Sequence, residues 1–193
     1  MRPEIAMRPA VPGDAPAIAA IHAAAWSEAY AFMPEGVLAR RDAAMRLQQW
    51  RDWFAAEPGP ARGGLFVLEA AGAVVGFCHA AANADPTVPA RGELRAGYIR
   101  PDFRGGNAGP LIMRTLAAWL RDNGLEPAIV WVFRENRFRH WYHMLGWRPA
   151  ILRDRMLDGH AVPETGYFYP DGLDALIAKL DALIARSALP KAA

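Results

Sequence analysis

Cysteine, serine and lysine are almost missing from this chain. Its single cysteine, Cys78, excludes an internal disulfide and fits a reducing compartment. Cys78 ends the apolar run 74–78 and reads as a small core residue rather than a nucleophile. The only serines are Ser27 and Ser187, and no G-x-S-x-G elbow surrounds either, which disfavours serine-nucleophile chemistry. The only lysines are Lys179 and Lys191, so the cationic charge is nearly all arginine. No run of about five like charges occurs, and no nucleic-acid-binding tail is expected. No apolar run approaches the ~20 residues of a membrane-spanning helix. The N-terminus has no signal-like apolar stretch either. These absences lead to the expectation of a cytoplasmic protein that binds neither membrane nor nucleic acid. His140 and His143 lie one helical turn apart, but no third ligand stands at useful spacing, so no metal is expected.

What is present is the make-up of one globular domain: 193 residues, 53% hydrophobic, 22% charged, net charge +2. Alternation over 5–10 predicts a short strand. The turn Pro12-Gly13-Asp14 offers Asp14 as the N-cap of a helix from 15 to about 30. A second helical region is read over 35–56. Strands at 65–70 and 73–81 flank Ala71-Gly72 as a hairpin. A loop at 83–92 leads to a strand at 93–100, which Pro101 ends by forcing extended geometry on Arg100. A helix over 110–123 stops at Gly124. The continuously apolar stretch 128–133 reads as a strand buried on both faces. A helix over 136–145 is followed by strands at 147–157 and 161–169 around the Asp158-Gly159 turn. A last amphipathic helix, 171–187, packs on the domain or at a dimer contact, and 188–193 form a tail. The order implies an α/β fold with a mixed sheet.

The most informative stretch is the strand at 93–99, the Arg100-Pro101 stop, and the loop Arg104-Gly105-Gly106-Asn107-Ala108-Gly109 ahead of a helix. The first N–H groups of a helix lack partners and point at whatever lies beyond its N-terminus. Glycines let a ligand approach the backbone closely. Such a turn suits a phosphate-bearing molecule. A P-loop is excluded because no lysine lies here, and the dinucleotide fingerprint because Arg104 replaces its first glycine.

The pattern resembles the acetyl-CoA pyrophosphate loop of the GNAT superfamily of N-acetyltransferases, Arg/Gln-x-x-Gly-x-Gly/Ala. A second likeness is Glu135-Asn136 followed by Trp141-Tyr142-His143-Met144-Leu145-Gly146-Trp147, similar to the family's Glu-Asn…Phe-Tyr-x-x-Leu-Gly-Phe. A third is the opening Met7-Arg8-Pro9-Ala10 with Asp14. The resemblance implies a GNAT domain over 1–170. It has a mixed sheet of about seven strands, helices on both faces and an extra C-terminal helix. It implies acetyl transfer from acetyl-CoA, a cosubstrate, to a primary amine of a small molecule or an exposed protein amine.

In that likeness two central strands splay around the pantetheine arm. The backbone of Tyr98, Ile99 and Arg100 would bond it. The N–H groups of Arg104, Gly105, Gly106, Asn107, Ala108 and Gly109 would hold the diphosphate, with the Arg104 guanidinium adding a contact, and Asn136 belongs to the same site. Tyr142 matches the family tyrosine that protonates the departing thiolate. Glu93 is the candidate base. Trp26, Tyr30 and His79 are candidates for the acceptor pocket. Three departures stand out: Asn107 in place of glycine, Phe138 in place of a small residue, and a gap from Asn136 to the aromatic pair one residue short. They motivate an alternative, a GNAT-fold binding or interaction protein without turnover. Asn tolerates a left-handed backbone, so the turn is expected to survive Asn107.

Overall fold

Two tight turns show how local chemistry builds the sheet. Ala71 and Gly72 have φ of 48° and 79°, and Asp158 and Gly159 have φ of 51° and 85°. Positive φ at both central residues matches the right-handed twist of the flanking strands. The first turn joins β2 (Gly64–Ala70) to β3 (Ala73–Ala82), and the second joins β6 (Arg148–Leu157) to β7 (His160–Phe168). With β1 (Ile5–Pro9), β4 (Gly92–Ile99) and β5 (Ala128–Phe133) they form one seven-stranded sheet, ordered β1-β2-β3-β4-β5-β7-β6. Only β4 and β5 run parallel. The computed structural model of the chain describes residues 3–188, so residues 189–193 of the expected tail lie outside the described residues.

Helices cover both faces, as the α/β reading expects. On one face α1 (Ala15–Ala29) and α3 (Ala43–Ala55) bury Ile18, Ala19 and Trp50 against Val67 and Phe77 of the sheet. On the other, α4 (Ala108–Asp122) sets Ile112, Leu116 and Leu120 against Cys78, Leu94 and Val130. The C-terminal α6 (Gly172–Ala188) adds Leu173, Leu176 and Leu180 to that same core, and Arg121 pairs with Asp174 at 3.1 Å beside it. Among the described residues no helix is long and apolar enough to cross a membrane.

Several local expectations are corrected. Asp14 does not cap α1. Its carboxylate is held by two hydrogen bonds from Arg8, at 2.7 and 3.0 Å, and accepts the Val11 N–H. A charged donor two bonds wide outcompetes a single helix N–H. The helical region at 35–56 breaks into α2 (Glu35–Ala39) and α3, because the Asp42 side chain accepts the Met45 N–H and restarts the helix as its N-cap. The helix read from 136 begins later, as α5 (Arg139–Leu145). The Asn136 side-chain oxygen Oδ1 accepts the Phe138 N–H at 2.9 Å, a local turn that delays helix entry. By contrast α4 starts at Ala108, ahead of Pro110, since the first helical turn needs no proline donor.

Candidate active site

A bulge in β4 opens the centre of the sheet. His79 of β3 faces Ala96 while its neighbour Ala80 faces Leu94, leaving Arg95 as the extra residue. Such an insertion bends a strand and increases its twist. β4 pairs with β5 only at residues 92–94, opposite 128–130. Beyond that point β4 continues along β3 to Ile99, while β5 continues along β7 to Phe133. The strands therefore diverge, and the β5-facing edge of β4 has no strand partner over 95–99. The gap holds a cleft of about 380 Å³ whose walls include Tyr98, Ile112, Trp131, Trp141 and Tyr142.

The Arg104–Gly109 loop closes one end of this cleft. Gly105 and Gly106 take φ of 85° and 57°. Asn107 sits in the right-handed region, φ −89°, contrary to the left-handed turn expected of it. The two preceding glycines carry the strained conformations, so the departure at 107 leaves the turn intact. Among the described residues the N–H groups of 105–109 donate to no backbone or side-chain acceptor, whereas Arg104 spends its own on Pro101. Five adjacent open N–H groups at a helix N-terminus are the kind of cradle that can receive an anion. A Cβ at Gly109 would stand 3.2 Å from the Trp141 ring, so the cradle's width depends on that glycine.

The remaining cleft residues divide by position. The Arg104 guanidinium does not face the cradle freely. Glu28 of α1 receives it in two hydrogen bonds of 2.6 Å each, and its Nε donates to the Ile99 carbonyl. Arg137 donates to the same Glu28 carboxylate. Together the two cations hold it below the ordinary carboxylate range. Asn136 and Phe138 line the cleft, with Phe138 40% exposed beneath the Arg104 and Arg137 guanidinium groups. Tyr142 lines it too, and burial raises its phenol above the usual 10. Arg100 lies outside: its N–H bonds Val75 and its side chain pairs with Asp102.

On the opposite face of β4 lies a second cavity, about 790 Å³, which shares Arg95, Ala96, Tyr98 and Trp131 with the first. Glu93, Trp26 and His79 line it. Burial raises the Glu93 carboxyl, an effect that Arg95, 3.5 Å away, partly offsets. His79 is fixed by the Arg62 carbonyl at 2.8 Å, and burial lowers it to about 4. Tyr30 is buried behind the cavity, its hydroxyl 3.5 Å from that of Tyr98, which also accepts the Trp26 indole N–H.

Sequence reasoning passed over Glu28, Arg46, Trp131 and Trp141. Nothing in the local pattern marks Glu28, whose partners stand 76 and 109 residues away. Arg46 did carry a signal: it shares a helix face with Trp50 and Gln49, and an arginine on an apolar face asks for an anion.

Comparison with known proteins agrees with this geometry. No curated protein matches the chain. Among solved structures it is similar in fold to yncA of Salmonella typhimurium, solved with its cofactor acetyl-CoA (18% identity, 85% of this chain and 92% of that one, TM-score 0.62). It is also similar to the PaiA N-acetyltransferase of Thermoplasma acidophilum in complex with coenzyme A (16%, 84% and 98%, 0.61). A third likeness is to the ribosomal-protein-alanine N-acetyltransferase of Brucella melitensis (20%, 84% and 98%, 0.64). The sequence profile of the acetyltransferase (GNAT) family matches residues 19–147, a span that takes in both cavities' central strands and the 104–109 loop. A profile match over most of the length makes the chain a member of the acetyltransferase (GNAT) family and a GNAT-type acyltransferase.

Proposed function

We propose that the protein moves an acetyl group from acetyl-CoA to a primary amine by direct attack. The observation that carries this reading is the divergence of β4 from β5 onto a loop with five open N–H groups. The cleft suits the cosubstrate in each part. The 105–109 cradle meets a diphosphate, and the free edge of β4 meets an amide-bearing arm. The apolar walls, Ile112 and Met113 among them, exclude water. Acetyl-CoA supplies an activated acyl carbon and a thiolate leaving group.

The chain's residues do the rest. Glu93, raised by burial, takes the proton from an amine held in the second cavity, directly or through one water. The Tyr142 phenol holds its proton across the physiological range and gives it to the departing sulfur. Arg104 positions the loop by tying Ile99 to Glu28 rather than acting as a free cation. A cytoplasmic location accords with the single buried cysteine.

Thermal melting with acetyl-CoA tests the reading. Ligand at 100 times its Kd adds about 2.7 kcal/mol to stability, and thiol release should then appear across an amine library. Gly109→Trp should abolish the melting shift. No shift at millimolar acetyl-CoA, or an undiminished shift in Gly109→Trp, would remove this site.

A further inference from the structure

Arg46 is 6% exposed and lines the second cavity, yet among the described residues no carboxylate pairs with it. Its Nε and Nη2 are buried without hydrogen-bond partners, and its Nη1 donates to the neutral Gln49 amide at 2.8 Å. The other arginines lining that cavity are matched. Arg95 lies 3.5 Å from Glu93, Arg153 binds Glu164 at 2.6 Å and Asp85 at 3.1 Å, and Arg155 lies 4.0 Å from Glu164. The Trp26 ring, 4.7 Å away, stacks on the Arg46 guanidinium but brings no full negative charge. Burial, with Arg41 adding to it, lowers Arg46 to about 10. A leucine or methionine would fill this place on α3 with no such penalty.

The cavity is polarised. Arg46 stands unpaired in one wall and the carboxyl of Glu93 lies in the lining, with the rings of Trp26, Trp50, Trp53 and Trp131 around them. A molecule carrying both an amine and a carboxylate has a complement for each in this lining, Glu93 for the amine and Arg46 for the carboxylate. We infer that the acceptor is a small amino-carboxylate, a free amino acid, whose carboxylate is received by the unpaired Arg46 guanidinium. This rests on the acetyl-transfer reading for its chemistry, though not for its binding step.

The test uses the full-length protein saturated with coenzyme A and a matched panel: L-amino acids, their carboxamides and the corresponding decarboxylated amines. Calorimetric affinity is measured alongside thiol release from acetyl-CoA. At least one amino acid should bind at least about tenfold more tightly than its carboxamide, the difference a charge-assisted bond makes. Arg46→Met should erase that preference. So should Gln49→Glu, which sets an internal carboxylate on the guanidinium and keeps the fold even if Arg46→Met does not. Equal affinity for acid and carboxamide, failure of every amino acid to bind, or a preference that survives Gln49→Glu would overturn the inference. Thiol release by decarboxylated amines as fast as by amino acids would overturn it while acetyl transfer stands. An acid preference with no thiol release would support carboxylate binding at Arg46 while overturning acetyl transfer, and with it the role of acceptor.

Discussion

Glu28 receives Arg104 through both of its oxygens, linking the last turn of α1 to the loop that caps the first cleft. The pair joins elements 76 residues apart and fixes how the loop sits on the β4 end. It also sets a negative charge beside that loop.

Removing that charge should tighten coenzyme A. In Glu28→Gln the exposed Arg137 loses the carboxylate it shares with Arg104 and can turn to phosphate. Affinity for coenzyme A should rise about three- to tenfold at low salt and lose most of the gain at 1 M salt, where charges are screened within ~3 Å. Titration at two ionic strengths measures this, and unchanged affinity at both would show that Arg137 does not reach the ligand.

Tyr142→Phe should lower kcat about 100-fold while leaving coenzyme A affinity nearly unchanged, since only the proton donor is lost. Because burial raises the phenol, wild-type kcat should show no alkaline decline from this group below its ordinary value of 10. Equal losses in kcat and affinity would make Tyr142 a wall residue only.

Asp14 gives a pH signature. Its hydrogen bonds from Arg8 and Val11 lower its folded pKa below the ordinary 3.8. A depressed carboxylate adds stability that is complete above the unfolded value and is lost as pH falls through the folded one. Asp14→Asn should cost about 2 kcal/mol at pH 7. The gap to wild type should close below pH 3.8. Melting curves across pH 2.5–8 (a span set by about a unit or more either side of carboxylate titration) follow this directly, and a gap constant with pH would exclude the ion pair as its source.

Leu176 is fully buried between α6 and the main core. Leu176→Ala should cost about 3 kcal/mol in urea unfolding without changing the order of the transition. A loss under about 0.5 kcal/mol would mean α6 is detached from the cooperative unit.

Much of the fold was legible because its signals are local. Both hairpin turns announced themselves in two-residue chemistry, and the apolar stretch of β5 and the stripe of α4 followed from periodicity alone. Where the reading slipped, a side chain had outbid the local pattern. Arg8 took Asp14 from its helix end, Asp42 restarted a helix inside an apparently continuous one, and Asn136 turned the chain ahead of α5. The loop at 104–109 was visible in sequence, but which of its residues bear the unusual backbone was not, since Gly105 and Gly106 rather than Asn107 do so.

The chain by itself determined most of its elements, their order and the position of the glycine turn ahead of α4, because these depend on residues within a few places of each other. Only the tertiary structure decided that β4 bulges and leaves β5, that Glu28 occupies Arg104, and that Arg46 is buried with no carboxylate partner among the described residues. Each of those depends on which distant side chains meet, and charge pairing across a sheet leaves no spacing rule in the sequence.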